Sequence, residues 1–250
     1  MPTALLVAIL AVSATATSFI SGILGMAGGL ILMGILLALM SVPSAMMLHG
    51  ITQLASNGWR AFLWRVHIDW RVFRGYLWGS LAVLALFVVF RFVVSKPWVL
   101  ITMGLTPFVA LLLPERLHLN VERRGHSSLC GAICAALSLT AGVSGPILDT
   151  FFVRSKMSRH AVVATKASTQ SLSHTLKIGY FGGVLAFGGG GVPPWLGLMM
   201  VAFSVLGTTL SARVLEKMSD NTFRVWTRRV VMAIGVAYLA SGVRLLLEAG

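Results

Sequence analysis

Acid is what this sequence has least of. It holds seven Asp and Glu against 20 Lys and Arg, and only 11% of its 250 residues are charged. A soluble domain carries about 25%. With 57% hydrophobic residues there is too little polar surface to wrap a water-soluble globule. That excludes a cytosolic enzyme, a disordered tail and a coiled coil. Cysteine is scarce too. Cys130 and Cys134 lie four apart on one helix face, a pair that gives neither a disulfide framework nor a metal site. They read as small packed residues. No basic stretch precedes the first apolar run, so residues 3–19 read as a membrane helix rather than a cleaved signal. The short alternating segments of a membrane β-barrel are missing as well. An all-α polytopic membrane protein remains, because a chain in lipid must satisfy its own backbone.

The formal net charge is +13, yet its distribution argues against nucleic acid as a partner. The cations cluster in short gaps between apolar runs, as at Arg65, Arg71, Arg224, Arg228 and Arg229. That is the positive-inside pattern of membrane topology. A span needs about 20 apolar residues. Apolar stretches fall at 3–24, 30–40, 44–64, 75–94 and 98–113, then at 127–141, 147–153, 160–181, 195–215 and 230–247. About 8–10 membrane segments are expected. A Gly/Pro-rich stretch at 188–194 reads as an external loop.

The two sets of stretches repeat one plan. An offset of 117 residues carries Gly25 onto Gly142, Gly28 onto Gly145 and Ser41 onto Ser158, without a gap. The same offset carries Thr52-Gln53 onto Thr169-Gln170, Ser56 onto Ser173 and Arg60 onto Lys177. Residues 1–113 and 127–250 are therefore read as two transmembrane repeats, joined by a charged cytoplasmic linker at 114–126. Placing the basic loops at 65–74, 116–124 and 213–229 in the cytoplasm makes the second repeat inverted relative to the first. Both termini then lie outside. Inverted repeats are a common build of secondary transporters, whose substrate sites lie near the bilayer midplane between them.

Two membrane stretches carry polar stripes. His49, Thr52, Gln53, Ser56 and Arg60 share one helix face by spacing, and Lys166, Thr169, Gln170, Ser173 and Lys177 repeat that spacing. Asn57 and His174 sit beside them. Polar groups at that depth face protein or water. Two matched stripes suggest one shared cavity, although Ser, Thr and Gln also serve as interhelical glue. Lys166 is nearest the middle of its helix. Arg60 and Lys177 lie nearer the ends, where each either lines the cavity or snorkels to the interface. Asp149 is the one carboxylate in a membrane stretch, so the cavity should be net positive and favour an anion. Asp149 is either a structural counter-ion of Lys166 or Arg154, or the protonatable group of a proton-coupled cycle. His49 and His174 are the other proton-carrying candidates.

The glycine-rich breaks carry the same sign. A helix restarting after Gly28 or Gly145 would present unpaired N–H groups and a positive dipole end. Such ends bind carboxylate, phosphate or sulfonate oxygens. Pro146 suits a first helical turn. Close helix packing is the other use of such glycines.

Taken together, Gly22-Ile-Leu-Gly25-Met-Ala-Gly28-Gly29, His49-x-x-Thr52-Gln53-x-x-Ser56-Asn57 and their echoes at 142–146 and 169–173 resemble the sulfite exporter TauE/SafE family of membrane permeases. The likeness covers nearly the whole chain. It implies a duplicated transporter fold and sulfur-containing anions, such as sulfite, sulfonates and sulfoacetate, as substrates. Members often carry Gly-x-Gly-Gly-Gly followed by Pro. Here the first half has no such Pro, and the second half reads Gly-Val-Ser-Gly-Pro.

The sequence thus predicts a multi-pass secondary transporter of the bacterial inner membrane, moving a small anion by alternating access. It needs no cofactor or metal, its partners are the anion and the bilayer, and monomer and homodimer both stay open. Thr52, Gln53, Ser56, Asn57, Thr169, Gln170 and Ser173 would hydrogen-bond the anion. Lys166, Arg60 and Lys177 would balance its charge, and Gly28 and Gly145 would mark the backbone donors. An anion channel could use the same stripes as a pore lining. A non-transporting membrane scaffold or a membrane-embedded enzyme is the other alternative; an enzyme would want a compact nucleophile–base or His/carboxylate set, which the scattered histidines and single carboxylate do not offer.

Overall fold

The computed structural model describes residues 4–24, 26–113, 119–184, 192–215 and 220–249. These form ten α-helices and no strand. They are α1 (Ala4–Leu24), α2 (Ala27–Leu39), α3 (Val42–Leu63), α4 (Trp70–Phe90), α5 (Lys96–Leu112), α6 (His126–Thr140), α7 (Gly145–Phe152), α8 (Arg159–Gly179), α9 (Pro194–Leu215) and α10 (Asp220–Ala249). A 3₁₀ turn at Arg65–His67 follows α3, and a π-turn at Tyr180–Val184 follows α8. Gly25, part of the linker (114–118) and most of the glycine-rich loop (185–191) lie outside the described residues.

Four stretches are long and apolar enough to cross a membrane: Ala4–Ile23, Trp70–Phe90, Pro194–Ser211 and Val225–Glu248. On α4, Trp78, Leu86, Val89 and Phe90 stay exposed, the face such a helix turns to lipid. Ala27–Leu39, Lys96–Leu112 and His126–Thr140 are apolar but shorter. Helices α3 and α8, of 22 and 21 residues, are long enough to span but carry the polar stripes.

Several boundaries differ from the sequence expectation. The basic stretch at 65–74 is half helix. Asp69 caps α4 by accepting hydrogen bonds from the amides of Arg71 (2.9 Å) and Val72 (3.0 Å), so α4 starts inside the supposed loop. Likewise α10 begins at Asp220, so the stretch at 213–229 is mainly helix ends around residues 216–219, which lie outside the described residues. The first break falls earlier than expected, because α2 already starts at Ala27.

The helices pack in an exchanged pattern. The closest pairs are α1 with α9, α4 with α6, α3 with α8 and α5 with α10. Exchanging α1–α5 with α6–α10 turns each of these pairs into another of the set or into itself. The self-paired helices run antiparallel. Gly50 meets Lys177 and Ile178, while Gly58 lies beside Ser171. In the same way Gly104 meets Gly235, and Gly242 meets Pro97 and Ile101. The other two pairs run parallel, with Ser18 bonded to Ser204 and Gly22 on Ser211, and with Gly75 on Ser127 and Gly131 on Tyr76. These close approaches rest on small residues, the usual device where lipid gives helices no hydrophobic drive to associate.

Candidate functional site

The site forms where α3 crosses α8. Antiparallel crossing brings the early turns of α3 against the late turns of α8. His49 therefore meets Lys177 and His174, although 128 residues separate His49 from Lys177. Lys177 Nζ lies 2.8 Å from His49 Nδ1 and donates to the carbonyl of Gly142 at 2.9 Å. Lys177 is completely buried, so it turns inward and does not snorkel. His49 Nε2 lies 3.0 Å from the carbonyl of Gly29. A carbonyl only accepts, so Nε2 carries the hydrogen and Nδ1 is left to accept from Lys177. The His174 ring meets that of His49 edge-on, with centroids 5.6 Å apart.

Both glycine-rich breaks come to this crossing. Gly142 adopts φ +77°, a left-handed conformation natural to glycine, and its carbonyl meets Lys177. Two residues on, Ser144 precedes α7 without capping it by its side chain. Met26 precedes α2 in the same uncapped way. The two starts abut, since a Cβ on Gly145 would lie 2.8 Å from the Cβ of Met26. Gly28 is tied to packing, because a Cβ there would collide with the Thr17 carbonyl of α1. Its neighbour Gly29 faces Gln53, at 3.4 Å for an added Cβ.

Two buried polar atoms in this neighbourhood have no partner among the described residues: Gln53 Nε2 and His174 Nδ1. Gln53 is 6% exposed and His174 7%. A buried polar atom left unpaired costs about 1–3 kcal/mol, and Ser138 Oγ and Thr227 Oγ1 are the other two such atoms among the described residues.

The hydroxyls of the stripes are otherwise engaged. Ser56 Oγ bonds Thr208 Oγ1 of α9 at 3.0 Å, and Ser173 Oγ bonds the Tyr76 hydroxyl of α4 at 2.7 Å. Thr52 donates to its own helix at Leu48 O, and Thr169 to Thr165 O. Asn57 donates to Gln53 O. Gln170 and Arg60 are only half-buried, with Arg60 toward the far end of α3. Lys166 forms an ion pair with Asp149, their side chains 27% and 33% exposed. Lys166 is thus one of the two partners expected for Asp149.

Tyr76 is the residue that sequence reasoning missed. It is 1% exposed and closes off Ser173. Its only signal was a hydroxyl inside an apolar span. Its partner lies on a different helix, where spacing along one chain segment says nothing.

No curated protein and no solved structure matches the chain. The sulfite exporter TauE/SafE family profile matches residues 9–238. That covers both breaks, both polar stripes and the crossing between them, and makes this integral membrane protein a member of the sulfite exporter TauE/SafE family.

Proposed function

We propose that the chain is a multi-pass secondary transporter of the bacterial inner membrane that carries a sulfur oxyanion or organosulfonate by alternating access. The observation that carries this reading is a buried lysine amine beside unpaired polar atoms. Among the described residues Lys177 has no carboxylate partner, and Gln53 Nε2 and His174 Nδ1 have no hydrogen-bond partner. A buried ammonium without a counter-charge is costly, and an anion removes that cost. Tetrahedral sulfur oxyanions offer several acceptors in different directions. They suit converging donors from Lys177, Gln53, His174 and the uncapped first turns of α2 and α7.

The remaining stripe residues take supporting roles in this reading. Thr52, Ser56, Asn57, Thr169 and Ser173 hold the walls through the bonds described above. Lys166, neutralised by Asp149, stands at a more exposed level with Arg60 and Gln170. The antiparallel crossing of equivalent helices supports an inverted pair of repeats, and rocking one against the other would open the site to each side in turn.

The test is counterflow in proteoliposomes preloaded with sulfite, sulfoacetate or an alkanesulfonate. Saturable, trans-stimulated exchange of a sulfur anion is expected. Gln53→Ala should cut exchange about tenfold or more, the worth of one buried hydrogen bond to a charged ligand. Gln170→Ala should impair it less. Wild-type flux in Gln53→Ala would remove the site from α3, and linear conductive flux would make the protein a channel.

A further inference from the structure

The anion-carrier reading leaves a question of charge, and the surroundings of Lys177 answer it. The groups that face its ammonium are few. From α3 comes His49 Nδ1, from the second break the carbonyl of Gly142, and from α8 itself His174 one turn away. The nearest candidate carboxylate in the sequence, Asp149, is paired with Lys166. Among the described residues no carboxylate balances a positive Lys177.

We infer that Lys177 takes up its proton together with the anion, so that each anion is carried with one proton held by the Lys177–His49 pair. This rests on the carrier reading. In the empty site Lys177 is a neutral amine. On binding, its lone pair takes a proton from hydronium in the solvent: one O–H bond of hydronium breaks, water is left, and a new N–H bond forms. The resulting ammonium faces the anion, and no bond within the anion breaks. Two of the three ammonium hydrogens go to His49 Nδ1 and Gly142 O, and the third remains for the ligand. His49 cannot itself be cationic at that moment. Its Nε2–H is committed to Gly29 O, and a second N–H at Nδ1 would point at the ammonium. The pair therefore holds one proton, never two. Release of the anion leaves the ammonium without a counter-charge, and the proton leaves with it.

The sign of the pH effect follows from linkage. Where the empty site is unprotonated, binding one anion consumes one proton, and the dissociation constant rises about tenfold per pH unit. The experiment is calorimetric titration of the purified protein with methanesulfonate, whose own charge is fixed. Two buffers of different ionisation enthalpy are used at each pH from about 6 to 9. Wild type should take up about one proton per anion at the upper end of that range. Lys177→Arg, a permanent cation, should bind with an affinity constant to within about twofold across the range and take up none. Asp149→Asn should keep the full uptake. Binding without proton uptake at any pH in wild type overturns the inference, and so does uptake lost in Asp149→Asn. If the arginine variant fails to fold, His174→Gln takes its place: it should keep the full uptake, and uptake lost with His174 overturns the assignment to Lys177. No binding of methanesulfonate, sulfite or sulfoacetate to wild type sinks the carrier reading itself, which separates the two failures.

Discussion

At the scale of single residues, the chain separates polar groups that hold helices from polar groups left waiting. Spacing along α3 put His49, Thr52, Gln53, Ser56 and Arg60 on one face, and that much was legible. It could not tell which of them find protein partners, because those partners come from distant helices. Ser56 meets Thr208 and Ser173 meets Tyr76, and each pair needs the whole fold to form. Tyr76→Phe should therefore behave as a structural change. It leaves a buried Ser173 hydroxyl unpaired and costs about 1–2 kcal/mol, seen as a lower melting temperature, with anion affinity unchanged. A lost affinity would place Tyr76 in the site. Asp149→Asn removes the counter-ion of a partly exposed Lys166, worth about 1 kcal/mol at most. A fall in melting temperature of about 2–4 °C with exchange retained is expected, and abolished exchange would return Asp149 to the transport cycle.

At the scale of helices, apolar stretches and glycine breaks located most elements, and ends were the weaker part. The Asp69 cap draws Trp70–Arg74 into α4, and α10 reaches back to Asp220. Both segments are rich in cations, and a cation at a helix end reads the same as one in a loop when only charge is counted. Helix pairing was invisible, because it depends on backbones in contact. In the α4–α6 pair, a Cβ on Gly79 would strike the Ser128 carbonyl, and one on Gly131 would strike that of Tyr76. Gly79→Leu should force these helices apart at a cost of about 3 kcal/mol or more. The expected readout is loss of the monodisperse peak on size exclusion in detergent. A well-folded Gly79→Leu protein would mean that α4 and α6 do not rely on this contact.

At the scale of the molecule, the offset of 117 residues predicted two related halves, and the packing adds how they hold each other. Helix α4 of the first half packs on α6 of the second, and α1 on α9. Neither half keeps its partners alone. Residues 119–125 run between the halves, and there Val121 donates to the Phe151 carbonyl at 3.1 Å, while Asn120 Nδ2 reaches the Arg154 carbonyl at 2.9 Å. A chain cut between residues 114 and 118 should yield halves that are degraded when expressed singly and co-purify when expressed together. Stable accumulation of either half alone would contradict the exchanged packing.

The pairing of α1 with α9 also sets an order on biosynthesis. Ser18 of α1 bonds Ser204 of α9, and the ribosome makes the second nearly 190 residues after the first. Until then Ser18, buried in the finished protein, faces lipid or a temporary companion. Helix α1 thus completes its packing only after α9 has been made. The nascent chain must be kept from partnering wrongly until α9 emerges.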